Sequence, residues 1–110
     1  MNITHAENGP ATIVTLNGNL DTATSGETQN YLDGLISDGV TRMVVDFTAV
    51  GFVSSAGLRV LLTVAKSLNA TDGGLRIYGL NATVTQVFEL TGFDNILNVT
   101  RSEEEALESY

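Results

Sequence analysis

The chain has 110 residues, enough to bury one core without help from a metal, and it has no cysteine, which removes disulfides, thiol catalysis and thiolate metal sites. Hydrophobic residues make up 43% and charged residues 16%, a composition that excludes disorder. Thirteen acidic against five basic residues give a formal charge of −8, which repels nucleic acid and anionic lipid, so neither is an expected partner.

The opening MNITHAENGP lacks the basic-then-apolar pattern of a secretory signal. No stretch approaches the ~20 apolar residues of a spanning helix, so a cytoplasmic protein without membrane insertion is expected. Asn2, Asn69, Asn81 and Asn98 each precede Thr by two positions, a pattern that matters only in a secreted chain and is read here as chance.

Asn2 to Ala6 is a candidate strand, Glu7 to Pro10 a turn with an Asn-Gly signal, and Thr12 to Asn17 (TIVTLN) a strand that alternates apolar and polar residues. Together they predict a hairpin at a sheet edge. After GNLD, Gly18 to Asp21, Thr24 and Glu27 stand at capping-box spacing, Tyr31, Leu32, Leu35 and Ile36 form a helical stripe, and Gly39 ends it.

Met43 to Phe47 (MVVDF) is a nearly continuous apolar run, as in a strand buried on both faces of a parallel sheet. From Leu58, the residues Leu61, Leu62, Ala65 and Leu68 repeat at helical spacing until Gly73-Gly74. Leu75 to Tyr78 predicts a further strand, Ala82 to Leu90 a helix stopped by Gly92, and Ile96 to Val99 a last strand. Ser102 and Glu105 mark the start of a short acidic helix. The alternation predicts an α/β fold: one domain over residues 1–110, with a mostly parallel mixed sheet, an edge hairpin and about four helices.

Ser54 and Ser55 stand at a strand-to-helix junction, where α/β folds place their sites. One reading is structural: a serine hydroxyl there caps the helix. The other is chemical: free N–H groups and the helix dipole favour a phosphate on that oxygen. Gly57 leaves room for a close approach to the first turn, by another backbone, a kinase or a phosphate. Arg59 stands one turn beyond Ser55, within reach of it or of a partner's carboxylate, and Thr63 and Lys66 continue that face, either as a solvated surface or as an interaction surface. Nucleophilic catalysis is poorly supported: there is no G-x-S-x-G elbow, and His5 is the only histidine.

GFVSSAGLRVLL resembles the signature of STAS domains, and the whole chain resembles the stand-alone bacterial anti-sigma factor antagonists. The GNLD turn, the MVVDF strand, the S-x-G-L helix start and LRIYGLNATVTQVFELTGFDNI all take part in that likeness. By resemblance, Ser55 matches the family's phosphorylated serine, Ala56 its small neighbour, Gly57 and Leu58 its Gly-Leu pair, and Asp21 the acid of the adjoining loop. Ser54 stands where the family usually has Asp.

The resemblance implies a partner switch. The unmodified protein would bind an anti-sigma factor of the GHKL serine kinase type and release the sigma factor. That kinase would phosphorylate Ser55 (or, less in keeping with the pattern, Ser54) from ATP and Mg²⁺, and a metal-dependent serine phosphatase would reverse it. The domain itself would catalyse nothing and hold no cofactor, its partner surface comprising Asp21, Ser54, Ser55, Ala56, Gly57, Leu58, Arg59, Thr63 and Lys66. The same resemblance admits a constitutive binding module, such as a cytosolic regulatory subunit of an ABC-type lipid transporter or a scaffold of a sensory complex.

Overall fold

β1 (Asn2–Asn8) and β2 (Ala11–Asn17) form an antiparallel hairpin closed by Gly9 and Pro10, in a computed structural model that describes all residues from Met1 to Tyr110. The turn lies one residue later than Asn-Gly suggests, and β1 runs on to Asn8. Gly9, at φ +59°, is the first of two loop residues, and Pro10 supplies the second with a fixed φ and no N–H to satisfy.

The remaining elements alternate: α1 (Ser25–Ser37), β3 (Arg42–Ala49), α2 (Ser55–Asn69), β4 (Gly74–Tyr78), α3 (Ala82–Thr91), a 3₁₀ turn at Phe93–Asn95, β5 (Asn98–Val99) and α4 (Glu103–Glu108). The sheet order is β1-β2-β3-β4-β5, parallel from β2 onward. Sequential parallel strands joined by crossovers of one preferred hand must carry their helices on one face. Accordingly, Leu32 and Leu35 of α1, Leu61, Val64 and Leu68 of α2, and Val84 and Phe88 of α3 share one core with Val14, Leu16, Met43, Val45, Phe47, Leu75 and Ile77. No helix is long and apolar enough to cross a membrane.

The other face is covered by α4 alone, through Ala106 against Ala11, Ile13 and Val44. Within MVVDF, Val44 is therefore buried on that second face, while Asp46 is only half-buried beside the cover. Burial works to raise its carboxyl, but bonds from the Thr48 hydroxyl (2.7 Å) and the Thr48 N–H (2.8 Å), with the Tyr78 hydroxyl nearby, outweigh it and hold it below the usual range. The Tyr78 hydroxyl is pushed well up by burial and by Asp46 and Glu103, the latter accepting its hydrogen bond at 3.3 Å.

Tyr110 closes the amino ends of β3 and β4. Its hydroxyl accepts from the Met43 N–H at 3.1 Å and lies within donating distance of the Met43 and Gly74 carbonyls, 2.7 and 2.5 Å away. Arg76 lies 4.3 Å over its ring and donates from Nε to Ser109 Oγ at 2.7 Å. Burial pushes the Tyr110 hydroxyl up, against the opposing pull of Arg76, the Met43 bond and Arg42.

One of the two predicted helix starts differs from what forms. Thr24 has helical backbone angles, and its Oγ1 donates to the Asn19 carbonyl at 2.7 Å and accepts from the Asp21 N–H, so no capping box exists there. Glu27 instead pairs with the Met1 amine at 3.0 Å. The Ser102 hydroxyl does cap α4, accepting from the Glu105 N–H at 3.1 Å. The last strand is shorter than Ile96 to Val99, because Leu97 turns into the core.

Candidate functional site

Beyond β3 the chain turns at Val50, whose N–H donates to the Phe47 carbonyl, and runs extended through Ser54 into α2. The preceding crossover comes alongside it. The Leu20 N–H donates to the Phe52 carbonyl and the Ser54 N–H to the Leu20 carbonyl, both at 2.9 Å, making a short parallel bridge between Leu20 and Val53. Asp21, one residue past that bridge, is thereby set beside Ser54.

The bridge explains two glycines. A β-carbon on Gly57 would sit 2.5 Å from the Leu20 carbonyl oxygen and 2.7 Å from its Cγ. The close approach expected at Gly57 is thus made by the chain's own backbone. A β-carbon on Gly51 would meet Asn19 Oδ1 at 3.0 Å. Asn81 fixes the loop from the other side, donating from Nδ2 to the Val50 and Gly51 carbonyls at 3.3 and 3.1 Å while its Oδ1 caps α3 at the Val84 N–H, 2.7 Å.

The two serines separate cleanly. Ser54 is the cap: its backbone is extended, its Oγ accepts from the Gly57 N–H at 3.4 Å, and its side chain is half-buried. Ser55 is the first residue of the helix, exposed, with a hydroxyl that makes no hydrogen bond within the chain. Its own N–H and that of Ala56 have no partner inside the helix.

Asp21 is half-buried and partly committed: Oδ1 accepts from the Ala23 and Thr24 N–H groups at 3.0 and 3.2 Å. That leaves Oδ2 without an internal partner. Arg59, Thr63 and Lys66 are exposed along α2, and neither cation forms an ion pair. Arg59 does not bond back to Ser55 in this unmodified state. Gly57 and Leu58 are buried, Leu58 at 4% exposure, so they shape the surface from below rather than form it; Ala56 is half-buried.

Three residues at this end escaped the sequence reading. Phe52 is 43% exposed, a large apolar group three positions before Ser55. Asn81 holds the loop backbone, and Asn19 lies against Gly51 with its carbonyl taken by the Thr24 hydroxyl; an asparagine immediately before a helical stripe is the cap signal that could have marked Asn81.

The model of the STAS domain family matches residues 2–106. The chain belongs to the STAS domain family. Among its relatives is a Bordetella bronchiseptica protein, BtrV, that carries the name of an anti-sigma factor antagonist; it is 36% identical over 98 residues, which cover 89% of this chain and 84% of the relative. A crystal structure of an anti-sigma factor antagonist from Mycobacterium paratuberculosis superposes with a TM-score of 0.89 over 98% of this chain and 92% of that one, at 20% identity. The phosphorylated form of the Bacillus cell fate determinant SpoIIAA superposes at 0.72 over 98% of both, at 22% identity. At those identities the two structures speak for the fold alone.

Proposed function

We propose that this STAS domain is an anti-sigma factor antagonist whose binding is switched by phosphorylation of Ser55. The observation that carries the reading is the division of labour at the start of α2. Ser54 caps the helix, while the exposed Ser55 hydroxyl is bound to nothing and sits where a phosphate meets free N–H groups and the positive end of a fifteen-residue helix. The names of relatives such as BtrV support the general role.

In this reading, the unmodified loop and the outward face of α2 bind an anti-sigma factor of the GHKL kinase type, with Phe52 as an apolar contact and Arg59 and Lys66 as the cations of an otherwise acidic surface. Phosphorylation brings nearly two negative charges beside Asp21. Desolvation and repulsion amounting to about 3–4 kcal/mol weaken the complex roughly 100- to 1000-fold, enough to exchange partners. The fold need not change, because the helix start tolerates the phosphate. The domain binds and is modified; it catalyses nothing, and a serine phosphatase resets it.

Incubation with ATP and the cognate kinase, read by intact mass and by the modified peptide, tests the assignment. One phosphate on Ser55, absent from Ser55→Ala and retained in Ser54→Ala, is expected; equal labelling of Ser55→Ala overturns it. The constitutive-module reading predicts no labelling and co-purification with an ABC-type ATPase.

A further inference from the structure

At the sheet edge farthest from β5, β1 is a seven-residue strand with six exposed residues that pairs only with β2. Long edges are usually blunted by lysine, proline, bulges or brevity. β5 is two residues long; β1 has none of these devices and one acid, Glu7.

The hairpin determines which backbone groups remain free. In a two-residue loop the Asn8 carbonyl accepts from the Ala11 N–H, so Asn8 and Ala11 form a hydrogen-bonded pair. By alternation Ala6–Ile13, Thr4–Thr15 and Asn2–Asn17 are also bonded pairs. The N–H and C=O groups of Ile3, His5 and Glu7 therefore point away from the sheet, and no other element meets them.

We propose that this edge pairs with the same edge of a second copy, antiparallel about a two-fold axis at His5, joining two sheets into one of ten strands. In that register Ile3 faces the partner's Glu7, His5 faces the partner's His5, and Glu7 faces the partner's Ile3. All six free groups on each strand are satisfied. Two-fold axes at Thr4 or Ala6 pair only two of the three free residues with one another. No glutamate faces a glutamate, which would be destabilising. The imidazole is held away from the seam, because His5 Nδ1 already bonds the Tyr31 hydroxyl of α1. A groove of about 540 Å³ lined by Met1, Ile3, Glu27 and Tyr31 runs along the same edge and gives the partner's strand and flanking side chains room.

A cysteine-free chain makes the register directly testable. Facing residues of a bonded antiparallel pair have Cα atoms about 5.5 Å apart, within disulfide range. In His5→Cys the two new thiols face each other, whereas in Ile3→Cys they lie about 14 Å apart along the strands. Mild oxidation should convert His5→Cys to a covalent dimer and leave Ile3→Cys monomeric. Wild-type protein should shift toward twice its mass as concentration rises, more so in high salt, because two chains of charge −8 repel. His5→Pro, which removes an outward N–H and no bond to β2, should stay monomeric. Should it fail to fold, amide exchange of the wild type decides: Ile3, His5 and Glu7 should gain protection with concentration. Equal cross-linking of the two cysteine variants, or a wild type that is monomeric up to about 1 mM, overturns the proposal.

Discussion

At the carboxyl ends of β2 and β3 the chain is fixed mainly by main-chain bonds and a missing side chain, with Asn81 as its one side-chain strut, whereas at the amino ends of β3 and β4 it is fixed by side chains. Near Ser55 the Leu20–Val53 bridge and the close contact of Gly57 on Leu20 hold the loop, and the side chains of Phe52, Ser55, Arg59 and Lys66 are left uncommitted. Around Tyr110 the hydroxyl, the Arg76 guanidinium and Ser109 are all engaged with one another or with the backbone. A loop positioned by its backbone can be placed accurately while its side chains stay available to a partner. One positioned by side chains has nothing spare to offer.

Gly57→Ala should break this division most severely. Its methyl group meets backbone oxygen rather than a flexible side chain, so α2 must shift off Leu20, at a cost of about 3 kcal/mol or more and with loss of partner binding. Chemical denaturation and a binding assay check both. Tyr110→Phe strands the Met43 N–H and should cost about 1–3 kcal/mol while leaving partner affinity and Ser55 phosphorylation unchanged.

The serine pair sharpens the contrast on a smaller scale. Ser54→Ala removes a long cap bond and should cost about 0.5–1 kcal/mol; Ser55→Ala, at an exposed hydroxyl without a partner, should stay within about 0.5 kcal/mol of wild type. If Ser55→Ala proves the more destabilising, the roles are reversed.

The smallest effect concerns pH. Tyr78 and Tyr110 both titrate higher in the folded chain than in the unfolded one, so the stability they contribute is fully present below about pH 10 and is lost as pH rises above that value. Tyr110→Phe should flatten that alkaline decline, measurable as melting temperature between about pH 9 and 11.

Much of this was legible in the sequence. Apolar periodicity located the strands and helices because a parallel sheet covered by three helices leaves long buried runs such as Met43 to Phe47. The loop with Ser54 and Ser55 stood out because a hydroxyl pair at a strand-to-helix junction has few other uses. What escaped depended on tertiary partners. The Thr24–Glu27 spacing suits a capping box, yet Asn19 and the Met1 amine outbid that local arrangement. Gly57 allows a close approach by another backbone, but that the backbone is Leu20's depends on a contact thirty-seven positions away. Likewise, Asn81 cannot be recognised as the strut of the Ser55 loop when Val50 is thirty-one positions away in sequence.

The central claim is tested most directly by titrating one anti-sigma factor with two preparations of this protein, unmodified and stoichiometrically phosphorylated on Ser55, by calorimetry. A Kd raised roughly 100- to 1000-fold by the phosphate, with the same melting temperature within a few degrees, is the predicted result. Equal affinities for the two preparations would contradict it.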